Sequence, residues 1–209
     1  MNELIQGSQE WILARVGSLG ASRVHDAIAR TKTGFGASRP NLMAELLCER
    51  LTGQPAEKFT NGAMVWGTEK EPEARDAYAW RMDCEVTQVG LIKHPTIIGS
   101  HASPDGLVGS NGMVEIKAPN SATHLETLLS GTVPAKYVTQ MMWQLTCGGR
   151  DWCDFVSYDP RLPDNMRLFV KRIDRDDKLI AELETMVTDF LAELDAKITA
   201  LTAKYGQAA

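Results

Sequence analysis

The chain has 209 residues, 44% of them hydrophobic, with 27 acidic and 22 basic side chains for a net charge of −5 at pH 7. That is enough apolar material for one domain with a proper core, which excludes a disordered chain or one too small to fold alone. There is no apolar run of membrane-spanning length, Met1 to Gly7 lacks the charged start and apolar stretch of a secretory leader, and Cys48, Cys84, Cys147 and Cys153 show no C-x-x-C spacing; a single soluble, cytoplasmic domain with reduced thiols is expected.

In chain order, Ser8 caps a short helix running to Arg15 and closed by Gly17, and a second cap at Ser22 starts a helix reaching about Arg30. Two helix ends therefore meet at residues 15–23. Two readings stay open for them: an ordinary cap beside a surface arginine, or a pocket for a terminal phosphate built from helix N–H groups and the Arg15 guanidinium. Between Arg23 and Arg39, four cations (Arg23, Arg30, Lys32, Arg39) face only Asp26, around Thr33-Gly34-Phe35-Gly36. This segment reads equally as a DNA-facing loop or as solvated surface. Further helices cover Asn41 to Leu51 and about Thr68 to Met82, where Thr68-x-x-Glu71 has the form of a capping box and Pro72 argues for a slightly later start.

Val86 to Lys93, a hairpin of Leu107 and Val114, Trp152 to Tyr158 and Leu168 to Ile173 read as strands, rich in β-branched and aromatic residues and bounded by Gly, Pro or Asp. They predict an α/β fold with a mixed sheet flanked by helices, and His94 and His101 at its edge read as loop or core residues rather than ligands. The helix opened by Pro134 and closed by Gly148-Gly149 carries Tyr137, Gln140 and Gln144 on one stripe and Val138, Met142 and Leu145 on another. Glutamine amides suit a backbone phosphate or the water around a metal; for Gln144 an uncharged polar face in solvent is an equal reading. A last helix, roughly Arg175 to Lys204, repeats Leu179, Leu183, Met186, Phe190, Leu194, Ile198 and Leu201, a stripe that packs onto the sheet or a neighbouring subunit. From Asp174 to Lys197 eight acidic residues face three basic ones, which equals the whole net charge and leaves the remainder neutral.

The most informative motif is Ser103-Pro104-Asp105-Gly106 followed by Glu115-Ile116-Lys117. Hard cations such as Mg²⁺ take oxygen ligands, and phosphodiester hydrolysis needs a metal to polarise the phosphoryl group and activate water. Side chains alternate along a strand, so Glu115 and Lys117 share a face while Ile116 turns to the core. The lysine orients or helps deprotonate the nucleophile and offsets charge on the phosphorane. A two-residue Asn111-Gly112 turn would pair Val108 with Glu115 and put Asp105 on the wrong face. The site therefore requires an odd loop, of about three or five residues, or a bulge at Gly109 or Gly112.

Together with Ala118-Pro119, this pair of motifs resembles the PD-(D/E)XK nuclease signature, and its flanks are similar to the phage lambda-type exonucleases, the YqaJ-like viral recombinase family. Gln9-Glu10-Trp11, Arg15, Gly17, Ala21-Ser22-Arg23-Val24-His25, Trp66-Gly67, Glu71, Tyr137 and Gln140 occur in that family's order. The resemblance implies a restriction-endonuclease-like core and an exonuclease that degrades one strand of double-stranded DNA from its 5′ end, processively. It implies a homotrimer ring working with a single-strand annealing protein. It also implies two Mg²⁺, replaceable by Mn²⁺, at Asp105 and Glu115 with Glu71 and the Ile116 carbonyl. Lys117 and Gln140 would complete the catalytic set, with Arg15, Ser22 and Tyr137 on the DNA and its 5′-phosphate. The family pattern often has a tyrosine where this chain has Gln144. The rival expectations are a structure- or site-specific endonuclease of the same fold and a non-catalytic DNA-binding recombination factor.

Overall fold

A computed structural model describes residues 4–31, 34–57 and 61–206. The first half of the chain gives α1 (Gln9–Ala14), β1 (Leu19–Gly20), α2 (Ala21–Ile28), β2 (Arg30–Thr31), β3 (Gly34–Phe35), α3 (Ser38–Thr52) and α4 (Gly62–Met82), then β4 (Val86–Thr87), β5 (Ile92–Lys93) and β6 (Ser100–Ala102). The second half gives β7 (Gly106–Val108), β8 (Gly112–Lys117), α5 (Ser121–Ser130), α6 (Ala135–Gly148), β9 (Trp152–Tyr158), β10 (Leu168–Asp174) and α7 (Asp177–Tyr205).

The main sheet has the order β10-β9-β8-β7-β4, with β8 and β9 parallel and the other neighbours antiparallel. A parallel pair needs a long crossover, and here α5 and α6 supply it. The sheet is covered on both sides. Val114, Ile116 and Val156 pack against Ala74 and Tyr78 of α4, whereas Met113, Cys153 and Phe155 on the opposite face join a larger core with α6, α2, α3 and α7. Trp143, Phe155 and Phe190 are essentially excluded from water there, each burial stabilising by roughly 1.5–3 kcal/mol. A smaller sheet, β1-β6-β5, and the β2–β3 hairpin complete the strands among the described residues.

The strand alternation has a direct consequence for β8. Hydrophobic side chains on both faces make it a central strand, yet Glu115, at 1% exposure, sits among them. Something must compensate a buried carboxylate.

Several expectations are corrected. Ser22 is not a cap; α2 starts at Ala21 behind Gly20, with no side-chain cap, leaving the Ser22 hydroxyl exposed. α4 starts at Gly62, capped by Asn61, whose side chain accepts from the Met64 amide at 3.0 Å. Glu71 and Pro72 lie inside that helix, and the Thr68 hydroxyl donates to the Met64 carbonyl instead of forming a capping box. The strand expected at 86–93 is split between two sheets, because residues between its ends are held by side chains from the N-terminal segment. Gln6 donates to the Val89 carbonyl at 2.7 Å and Trp11 to that of Gly90 at 2.7 Å. The stripe of α7 packs on α2, α3 and α6 rather than on the sheet.

The basic segment is largely neutralised within the fold. Arg23 pairs with Asp26 and Glu45, both at 3.0 Å, and Arg39 is buried against Glu193 at 2.7 Å and over the Phe35 ring at 3.9 Å. Arg30 remains exposed; Lys32 and Thr33 lie outside the described residues. Arg39 and Arg50 reach Glu193 and Asp195, so α3 answers part of the acidity of α7. Among the described residues no helix is long and apolar enough to cross a membrane.

Candidate active site

The hairpin between β7 and β8 sets the site. Gly106 pairs with Val114 and Val108 with Gly112, leaving Gly109-Ser110-Asn111 as a three-residue loop whose first residue has φ +55°. The loop is odd, as the site requires. Continued by one step, this register brings Asp105 opposite Glu115, and Asp105 Oδ2 accepts a hydrogen bond from the Ile116 amide at 2.6 Å.

Glu115 is compensated from α6. Its Oε1 accepts from Gln140 Nε2 at 2.7 Å and from the Lys117 ammonium, and its Oε2 accepts from Gln144 Nε2 at 2.6 Å. One helical turn separates the two glutamines, which places both amides over the same strand position. Gln144 is fully buried, so the solvated-face reading is overturned and it joins the site. Tyr137, one turn earlier, stacks on Phe155 with ring centroids 5.4 Å apart, and the Lys117 ammonium lies 5.4 Å from its ring centre.

Glu71 reaches the same place from α4, where Arg75 holds its carboxylate. Arg75 also donates to the Asp105 carbonyl at 3.2 Å, tying α4 to the start of β7. Sequence reasoning missed Arg75, because a Glu-x-x-x-Arg spacing on a helix is an ordinary surface pair.

These groups line a cleft of about 800 Å³ that includes Glu71, Asp105, Ile116, Lys117, Tyr137 and Gln140. Burial raises the Asp105 carboxyl well above its ordinary pKa, and the negative charges of Glu115 and Glu71 push it the same way against Lys117. Burial also raises Glu71, opposed by Arg75. For Lys117 burial works against the charged form, but Glu115 and Asp105 more than offset it, so the ammonium holds its proton above the usual range. Lys117 thus stands as a cation at the cleft.

The residues suit a divalent ion in donor chemistry: oxygen donors only, and a surplus of buried negative charge. Among the described residues no three His, Cys, Asp or Glu side chains already stand together in ligating geometry. Arg75, Lys117 and the glutamines engage the carboxylates instead.

Arg15 and Ser22 come together in a second, smaller pocket of about 100 Å³ beside Gly20 and His101. Arg15 lies 3.9 Å from the Trp11 ring centre and donates to His101 Nε2 at 3.1 Å. Burial lowers its pKa while Glu49 opposes the shift. The uncapped start of α2 leaves its first N–H groups available beside this arginine. Ser22 lines both this pocket and the cleft. His101 and His94 are buried as expected; His94 accepts from the Thr96 and Ile97 amides at Nδ1 and stacks on Trp143.

A mixed sheet flanked by helices, with an aspartate, a glutamate and a lysine meeting at a parallel strand, defines a protein of the PD-(D/E)XK nuclease class. The model of the YqaJ-like viral recombinase domain matches residues 10–151, and the chain belongs to that family. The alkaline exonuclease LHK-Exo from Laribacter hongkongensis is 55% identical, with 94% of this chain and 97% of that one covered and a TM-score of 0.88. LHK-Exo in complex with dAMP gives the same identity and coverage and a TM-score of 0.89. A phage-related exonuclease from Haemophilus somnus 129PT shares the fold at 16% identity, with 88% and 96% covered and a TM-score of 0.70. No curated protein matches the chain.

Proposed function

We propose that the protein is a divalent-metal-dependent exonuclease that degrades one strand of duplex DNA from its 5′ end, processively, leaving 3′ single-strand overhangs for recombination by strand annealing. The observation that carries this reading is the convergence of Asp105, Lys117 and Glu71 on one cleft, with the buried Glu115 bonded directly behind Lys117 and Gln140. Asp105, Glu115, Glu71 and the Ile116 carbonyl would hold two Mg²⁺, with Mn²⁺ able to substitute. The chemistry such ions supply when bound is polarisation of the phosphoryl oxygen and a lowered pKa for the attacking water.

The chain's own groups do the rest. Lys117 orients the water and offsets charge building on the phosphorane. Gln140, at the cleft wall, can pass an amide N–H from Glu115 to a phosphate oxygen, and Tyr137 offers its ring edge and hydroxyl to the strand. Arg15 and the α2 N–H groups suit a terminal phosphate, and Ser22, shared by pocket and cleft, connects that end to the carboxylates. An anchored 5′ end beside the reaction centre favours exonuclease over endonuclease action. The description of LHK-Exo as an alkaline exonuclease, and its complex with the mononucleotide dAMP, support the same reading. A homotrimer ring, a single-strand annealing partner and a cytoplasmic setting belong to the proposal through the family.

Linear duplexes with and without 5′-phosphates, and covalently closed circles, would be incubated with Mg²⁺ or EDTA. Mononucleotide release from phosphorylated linear ends, dependent on Mg²⁺, with circles intact, is the expected outcome. Nicked or cut circles would instead identify an endonuclease. No release at high protein concentration would identify a non-catalytic DNA-binding recombination factor.

A further inference from the structure

Glu115 is gripped on two sides, and the two sides differ. Its Oε1 partners, Gln140 and Lys117, both line the cleft. Its Oε2 partner, Gln144, is at 0% exposure and is not among the cleft-lining residues. The Gln144 carbonyl oxygen Oε1 is buried with no hydrogen-bond partner. A buried amide with one orphaned end is destabilising relative to a well-packed apolar side chain, and the neighbours Met141, Met142, Trp143 and Leu145 show that α6 accepts apolar residues here. What the glutamine does at this position is donate to Glu115.

We infer that Gln144 is a positioning residue: a fixed amide behind Glu115 that holds its carboxylate plane so that Oε1 faces the cleft. The inference rests on the nuclease reading and deepens it. Division of labour follows from the geometry. Gln140 and Lys117 are exchangeable donors, free to turn to substrate when a cation takes over Oε1, whereas Gln144 keeps its bond throughout because nothing else can reach it. Outer partners of this kind typically contribute 10- to 100-fold to metal affinity or activity.

The test compares wild type with Q144M, which keeps length and volume but removes the donor. Three quantities are measured: melting temperature without metal, affinity for Mg²⁺ or Mn²⁺ alone by calorimetry, and kcat and KM on 5′-phosphorylated duplex ends. The expected result is metal affinity and kcat each lowered about 10- to 100-fold and KM for ends within about twofold, with a melting temperature lowered only by the loss of one donor to a buried carboxylate. Unchanged metal affinity and kcat would overturn the inference and make Gln144 a filler of core volume. A fall in melting temperature with metal affinity intact would also overturn it. Q144N, which keeps the amide but withdraws it by one methylene, must show the same loss of affinity and serves if Q144M folds poorly. If wild type itself neither binds the ions nor releases nucleotides, the nuclease reading fails rather than this one.

Discussion

Two buried carboxylates on adjacent strands are handled in opposite ways. Asp154 on β9 is 1% exposed, and its oxygens accept from both nitrogens of the Arg172 fork at 2.9 Å and from the Tyr78 hydroxyl at 2.7 Å. One cation matches one anion, and the node is closed; Tyr78 is pushed above its ordinary pKa by burial and by that neighbouring charge. Glu115 on β8, equally buried, has two neutral amides and one lysine, and it shares its surroundings with Asp105 and Glu71. Its side of the strand carries unspent negative charge and opens to a cleft. The contrast separates a carboxylate that ties a fold together from one that the proposed nuclease chemistry would use.

Substitutions at the two nodes should therefore have opposite signatures. At the open node, Glu115→Gln or Asp105→Asn removes several kcal/mol of transition-state stabilisation, on the order of 10³-fold in Mg²⁺-dependent nucleotide release. The melting temperature should hold or rise as repulsion is relieved. Loss of folding in both variants, seen by circular dichroism, would erase the distinction. Lys117→Ala should cost about 10²- to 10⁴-fold in kcat, and cleavage at the wild-type rate would refute its role. At the closed node, Asp154→Ala should destabilise by about 2 kcal/mol in urea unfolding. Tyr78 would be left unpaired, whereas Arg172, 46% exposed, can rehydrate. Specific activity of the folded fraction should be retained.

The smallest effect is expected at Asp159, just beyond β9. Burial would raise its carboxyl, but bonds from Arg161 and Ser121 outweigh that and lower it from 3.8 to about 2. A depressed carboxyl stabilises the fold above its unfolded pKa, and the contribution fades as pH falls from 4 through 2. Asp159→Asn should therefore lose about 1–2 kcal/mol at neutral pH, solvent around the half-exposed Arg161 being allowed for. Its stability deficit should shrink across that acidic window. A deficit that does not change with pH would assign the effect to packing.

The open node was legible in the sequence because strand parity is a strict rule: once Asp105, Glu115 and Lys117 were required on one face, the loop length followed. The strand Trp152–Tyr158 and the two ends of α6 were legible for similar local reasons, whereas α3 starts at Ser38, ahead of the expected Asn41. Gln144 was not, because helical spacing gives the stripe but not which stripe faces a buried acid. Arg75 and the Asp154 node were hidden too, since charged pairs distant in sequence leave no local signal. The true start of α4 at Gly62 was masked by Pro72, which the helix tolerates in its interior.

The loop Gly109-Ser110-Asn111 has an evolutionary consequence. Gly109 needs a residue at ease with left-handed backbone and Asn111 donates to Asp151 at 3.1 Å, but Ser110 between them is exposed, so its identity is open to drift while the number of loop residues is not. A single-codon insertion or deletion there would flip Asp105 to the opposite side of the sheet and silence the enzyme without touching any reacting group. Natural variation at this tip should arrive as substitutions, or as length changes in steps of two.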